Sequence, residues 1–179
     1  MAGAYSTYAN KGVYTEPSFV TRIEDRNGNL LATFNPKESE AISEQTAYLM
    51  INLLQGVVQD GTGRRVRYKY ELMNSIAGKT GTTQNQSDGW FMGVTPNLVS
   101  GAWVGGENRS IHFNTITLGQ GANMALPIWG KYMNKVYNDS TLTNFVSKQD
   151  TFEVPTNFNY DLNCEDVGEA RDRVDDDFF

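Results

Sequence analysis

Ser75-Ile76-Ala77-Gly78-Lys79-Thr80-Gly81-Thr82-Thr83 sets one ammonium group among threonine hydroxyls and two glycines, with no bulky side chain after Ile76. Small residues on both sides of a lysine let another backbone or a substrate approach the main chain closely. A carboxylate laid along this stretch meets a positive charge, hydroxyl donors and unobstructed backbone N–H groups. It reads as an anion-recognition strand. Gly78-Lys79-Thr80 also matches the end of a phosphate loop, G-x-x-x-x-G-K-[ST]. The first glycine of that pattern falls on Met73, and the lead-in from Met73 to Ala77 is no flexible glycine loop, which argues against nucleotide binding.

Working outward, Ser75–Thr83, Gly89–Val94 and Leu98–Val104 alternate like strands, and the short Thr95-Pro96-Asn97 link makes the last two antiparallel neighbours. Trp90, Met92 and Val94 share one face, with Phe91 and Gly93 on the other, so the sheet is covered on part of each side. A further short strand is expected near Ile111 to Ile116. Upstream, Ser43 and Glu44 open a helix running to Gln59. Ala47, Met50, Ile51, Leu54, Val57 and Val58 form its apolar face, and Leu49 and Leu53 widen that face until most sides need cover. Asp60-Gly61-Thr62-Gly63 stops it. Arg64, Arg65, Arg67 and Lys69 then read as a solvated basic face, the alternative being attraction of an acidic substrate toward Lys79. Phe19 to Phe34 read as a hairpin, with Asn27-Gly28 as two left-handed turn positions. Met1, Ala4, Tyr5 and Tyr8 have helical spacing, ending near Gly12, and a helix already under way at residue 1 fits one cut from a longer chain. Downstream, Asn123 to Asn138 form a last helix, with Pro127 early and Ile128, Trp129, Tyr132, Met133 and Val136 buried.

With 179 residues, 39% of them hydrophobic, the chain can bury one real core. Charge is uneven: residues 1–139 carry 12 Lys/Arg against 11 Asp/Glu, and residues 140–179 carry 3 against 10. A near-neutral body with an acidic tail argues against general nucleic-acid binding. Two regions follow: 1–139 as the folded body, and 140–179 as an acidic, mostly irregular and solvated tail ending in Asp175-Asp176-Asp177-Phe178-Phe179. Cys164 is the one cysteine, so no intrachain disulfide forms. No apolar run reaches membrane-spanning length, and the N-terminus lacks the basic and apolar regions of a signal peptide.

Lys79-Thr80-Gly81 is also the K-T-G element of serine transpeptidases and serine β-lactamases. Its continuation, Lys-Thr-Gly-Thr-Thr-Gln-Asn-Gln-Ser-Asp-Gly-Trp-Phe-Met-Gly-Val-Thr-Pro-Asn-Leu-Val-Ser-Gly-Ala-Trp-Val-Gly-Gly, closely resembles the bifunctional (class A) penicillin-binding proteins that cross-link peptidoglycan. Gln55 to Arg65, Met1 to Tyr5 with Ala9-Asn10, and Ala125 to Trp129 fit the same family in the same order, so the resemblance runs to about Asn138. It implies an α+β fold, an antiparallel sheet flanked by helices, here part of a serine transpeptidase and β-lactamase-like domain. It further implies a parent held at the extracytoplasmic face of the bacterial inner membrane by an N-terminal helix absent from this sequence.

In the resembled family a Ser-x-x-Lys serine is the nucleophile, a Ser-x-Asn element relays protons, and the K-T-G strand forms the opposite wall. Carried over residue by residue, Lys79 is the ammonium that polarises the relay and draws in the substrate's terminal carboxylate. Thr80 and Thr82 offer that carboxylate their hydroxyls, Gly81 keeps the strand open, and the Thr82 backbone N–H is half of the oxyanion hole. No serine here has lysine three positions later or asparagine two positions later. The expectation is therefore a fragment of a D,D-transpeptidase that needs the missing N-terminal half of its domain and is inactive alone. Peptidoglycan stem peptides and β-lactams are the parent's partners, and no cofactor or metal is implied. His112, the single histidine, lies in a polar stretch and offers no Ser-His-Asp substitute. The alternative is a non-catalytic binding or scaffold module derived from a transpeptidase.

Overall fold

The computed structural model describes residues 1–162; Cys164 and the closing acidic stretch lie outside them. Helix α1 (Ala2–Ala9) leads into strand β1 (Val13–Thr15), the hairpin strands β2 (Arg22–Glu24) and β3 (Leu30–Thr33), and β4 (Glu38–Glu40), which pairs back on β1. The hairpin forms where the sequence predicts it, but with a different turn. Gly28 N donates to Asp25 O and Asp25 N to Asn29 O, and of the two turn residues only Gly28 has a positive φ. This is a three-residue loop with a left-handed glycine rather than a pair of left-handed positions. The Asp25 carboxylate selects it, accepting from Asn27 N, Asn29 N and Asn29 Nδ2 at 2.7–2.9 Å.

Helix α2 (Glu44–Gln59) starts where Ser43 Oγ accepts from Thr46 N at 3.2 Å. Ala47, Ile51, Leu54 and Val58 are buried, one per helical turn, while Leu53 is 68% exposed. One stripe is covered, not most sides. After the short helix α3 (Arg65–Tyr68), strands β5 (Ala77–Thr82), β6 (Asp88–Val94) and β7 (Val99–Gly105) form an antiparallel sheet in the order β5-β6-β7. The chain reverses between β6 and β7 at Pro96-Asn97, where Thr95 N donates to Leu98 O. No strand forms near 111–116. Asn108 instead organises a turn there, its Oδ1 accepting from Ser110 N, and α4 (Ile116–Gly119) follows.

Helix α5 (Gly121–Asn138) crosses one face of the sheet, with the Phe91 and Trp129 rings 5.0 Å apart and Trp129 Nε1 donating to Ser100 Oγ at 2.9 Å. On the other face Ala77 and Val94 cluster with Ile51 and Leu54 of α2, and Tyr5 and Tyr8 of α1 pack against them. The buried side of α5 is Ala122, Ala125, Leu126, Trp129, Met133 and Val136. Ile128 and Tyr132, predicted buried, are 53% and 44% exposed, because the stripe turns about one residue from the predicted one. Pro127 lies in the second turn of the helix and so removes an interior bond rather than an end one.

Residues 140–162 hold neither helix nor strand, but they lean on the body. Val146 is buried in the α5 cluster, Phe152 packs on the α2 cluster, and Phe158 meets Tyr48 edge-on at 4.9 Å. Most of the segment is exposed, as the expected solvated tail requires, with Phe145, Val154 and Tyr160 among its exposed residues. The departure is local, where Val146 and Phe152 anchor it to the two core clusters.

Candidate functional site

Segment 72–76 and strand β5 are placed by interactions from three directions. Arg67 Nη1 donates to Leu72 O at 2.7 Å and to Asn74 O at 2.6 Å, fixing the chain as it enters the strand. Burial holds the Arg67 guanidinium below its ordinary pKa. Arg65 Nη1 donates to Ala122 O at 3.2 Å and ties α3 to α5. Two of the four residues predicted as a solvated basic face are therefore structural, while Arg64 and Lys69 are exposed.

Strand β5 pairs only with β6, in register Lys79↔Met92 and Gly81↔Trp90, so its other edge is open among the described residues. Thr83 N donates to Asp88 O at 3.1 Å, which makes Thr83 and Asp88 a bonded pair. Antiparallel ladders alternate, so Lys79 and Gly81 bond toward β6, while the N–H groups of Thr80 and Thr82 point out at the open edge. Lys79 is exposed and its Nζ donates to Thr80 O at 2.8 Å, the carbonyl on that same edge. The predicted set of Lys79, Thr80, Gly81 and Thr82 is thus brought together as one rim: an ammonium, two outward N–H groups and two hydroxyls.

The two hydroxyls are already engaged. Thr80 Oγ1 lies 2.7 Å from Thr62 Oγ1, and Thr82 Oγ1 accepts from Gly121 N, the first residue of α5, at 2.9 Å. Thr62 and Gly121 are the site neighbours that sequence reasoning missed. The flanking glycines of Gly61-Thr62-Gly63 were the available signal. A Cβ at Gly61 would stand 2.9 Å from Val57 Cα, and one at Gly63 3.1 Å from Val57 O. Only without them does the loop fold back on the last turn of α2, where Gly63 N donates to Val57 O, and carry Thr62 to β5.

A rim of this kind can hold a carboxylate and polarise a carbonyl oxygen, but it holds no nucleophile. The described bond from Lys79 Nζ goes to Thr80 O, not to a serine. His112 is exposed, with Nδ1 3.1 Å from Phe113 O, and takes no part. Among the described residues no group of three or more His, Cys, Asp or Glu could hold a metal ion. A cavity of about 440 Å³ lined by Lys11, Glu44, Tyr48, Asp150 and Glu153 includes no β5 residue.

Residues 1–106 match the family described as the penicillin binding protein transpeptidase domain. The chain is 36% identical over 138 residues to a penicillin-binding protein 1A of Clostridium novyi, covering 75% of this chain and 15% of that protein. It is 33% identical over 170 residues to a penicillin-binding protein 1A of Aquifex aeolicus, covering 93% of this chain and 21% of that one. The chain therefore spans about a fifth or less of these two relatives. Among solved structures, penicillin-binding protein 1A from Haemophilus influenzae superposes with a TM-score of 0.71 at 24% identity, over 87% of this chain and 27% of that one. The D,D-transpeptidase domain of a peptidoglycan glycosyltransferase from Eggerthella lenta gives 0.54 at 29% identity, over 75% of this chain and 31% of that one. These likenesses agree with the mixed helix and antiparallel-sheet fold.

Proposed function

Because the chain belongs to the penicillin-binding protein transpeptidase domain family, we propose that it supplies the substrate-facing edge strand of a D,D-transpeptidase cross-linking peptidoglycan stem peptides by serine acyl transfer. The observation that carries this reading is the open rim of β5, with Lys79 exposed and the Thr82 N–H turned away from the ladder. The nucleophilic serine comes from outside this sequence. A stem peptide lies along β5 with its terminal carboxylate at Lys79 and at the hydroxyls of Thr80 and Thr82, and Gly81 leaves its backbone room. As the serine attacks the penultimate carbonyl, the Thr82 N–H donates to the oxygen on which negative charge develops. The serine oxygen forms a bond to that carbon, the amide C–N bond breaks, and the leaving nitrogen takes the proton the serine hydroxyl gave up. An amine of a second stem peptide then attacks the acyl-serine, returning that oxygen its proton. β-Lactams occupy the same rim, their carboxylate standing for the peptide terminus.

On this reading residues 1–139 belong to the transpeptidase domain and 140–179 form an acidic extension. The parent works at the extracytoplasmic face of the inner membrane, its anchor lying elsewhere; no helix among the described residues is long and apolar enough to cross a membrane. Two arms test the reading. The chain alone, incubated with fluorescent penicillin, gives no adduct that survives denaturation. Produced together with the remainder of the transpeptidase domain of the Aquifex relative, it gives a covalent adduct whose rate of formation falls about 10²–10³-fold in Lys79→Ala. An adduct on the chain alone, or labelling of the assembled protein that ignores Lys79→Ala, overturns it.

A further inference from the structure

We infer that Thr62 is a positioning residue for the carboxylate-binding rim, acting through the hydroxyl of Thr80; the inference rests on the function proposed above. The two hydroxyl oxygens stand 2.7 Å apart, a full-strength O–H···O bond in which either can donate. A carboxylate arriving at β5 removes that freedom. It accepts and cannot donate, so Thr80 must turn its proton outward, and its oxygen is then free to accept from Thr62. The result is a directed chain, Thr62 O–H to Thr80 O–H to carboxylate, in which the first bond polarises the second.

Thr82 shows the same arrangement with a fixed donor. Its Oγ1 accepts from Gly121 N, which commits its own proton to the outside. Both hydroxyls of the rim are therefore backed by a donor from another element, α5 for Thr82 and the α2–α3 loop for Thr80. Without Thr62, the Thr80 hydroxyl would turn between rotamers, and part of the binding energy would go into ordering it. The side chain at 62 is exposed and touches no core cluster, so its tight placement by two glycines has no packing role to explain it.

The test uses the ¹⁵N-labelled 179-residue chain titrated with N-acetyl-D-alanyl-D-alanine and, separately, with its C-terminal amide. The unsubstituted chain should show saturable shifts at the Thr80 and Thr82 amides with the acid and none with the amide. Thr62→Val should weaken binding of the acid about 3–10-fold, the loss of one neutral hydroxyl–hydroxyl bond, while Thr62→Ser holds it within about 2-fold. Thr62→Val and Thr80→Val combined should bind no more weakly than Thr80→Val alone, since both interrupt one chain. Unchanged binding in Thr62→Val, equal losses in Thr62→Ser and Thr62→Val, or additive losses in the pair overturn the role of Thr62 and leave the proposed function standing. No carboxylate-dependent shift in the unsubstituted chain overturns the role of Thr62 as well, while the proposed function is decided separately by penicillin labelling of the assembled domain.

Discussion

Gly121 is where the last helix meets the site strand, and replacing it with alanine tests whether that junction is as close as described. Its N–H donates to Thr82 Oγ1 at 2.9 Å. A Cβ added there would stand 2.6 Å from Trp90 O and closer still to Gly81 O. Both oxygens belong to the β5–β6 ladder and cannot move aside without opening it, so α5 has to shift instead. Overpacking of this kind costs about 1–3 kcal/mol, and the lost hydrogen bond adds about 0.5–1.5 kcal/mol. The better helix propensity of alanine offsets about 0.5–1 kcal/mol. The net loss is about 0.5–4 kcal/mol, which at ~2–4 °C per kcal/mol lowers Tm by roughly 1–16 °C. Gly56→Ala, inside α2 with nothing within 4 Å of the added atom, is the control and should gain about 0.5–1 kcal/mol. Thermal melts followed by circular dichroism decide it. A Gly121→Ala chain that melts at or above the parent temperature refutes the close packing of α5 on β5.

Other substitutions probe the frame around the rim. Arg67→Ala should cost about 2–3 kcal/mol by urea titration, since the carbonyls of Leu72 and Asn74 lose a charged donor; a change under about 0.5 kcal/mol would contradict that role. The Asp25 carboxyl is held below its ordinary pKa, chiefly by the Asn29 side chain and then by the Asn29 and Asn27 backbones. A depressed carboxylate stabilises the fold above its unfolded value of about 3.9, and that contribution is lost as pH falls through the folded value. The protection factors of the β2–β3 hairpin amides, with the intrinsic exchange rate at each pH divided out, should therefore fall below about pH 4 and lose this dependence in Asp25→Asn. Trp129→Phe keeps the ring against Phe91 but frees Ser100 Oγ, and should cost about 1 kcal/mol in the same urea assay, with no loss marking that bond as idle.

The sequence made the local elements plain where a single period or a single cap decided them. Ser43 and the apolar turns after it locate α2, and the run of small residues around Lys79 locates the edge strand. Contacts between distant segments were harder to read. Nothing near Thr80 in sequence points to Thr62, because the link depends on how a glycine-flanked loop folds back over the end of a helix. Ile128 and Tyr132 obey helical periodicity as well as Leu126 does, and only the direction from which the sheet meets α5 decides which stripe is buried. The turn at Asp25 went unread because Asn27-Gly28 suggests a two-residue loop, while the Asp25 side chain supplies bonds that favour a longer one. No period or cap after Asp139 singles out Val146 and Phe152, whose partners lie in the two core clusters far upstream.

The last turn of α2 does two jobs at once. Val58 is wholly buried beside Gly78, and one residue earlier Val57 carries the backbone against which the Thr62 loop closes. The end of the helix therefore joins the hydrophobic interior directly to the loop that carries Thr62. A volume change at Val58 that tilts the axis slightly would be felt at the Thr80 hydroxyl, although the altered residue touches no ligand. On the function proposed above, substitutions hidden in this interior should then alter carboxylate binding at the rim as readily as changes along the strand itself.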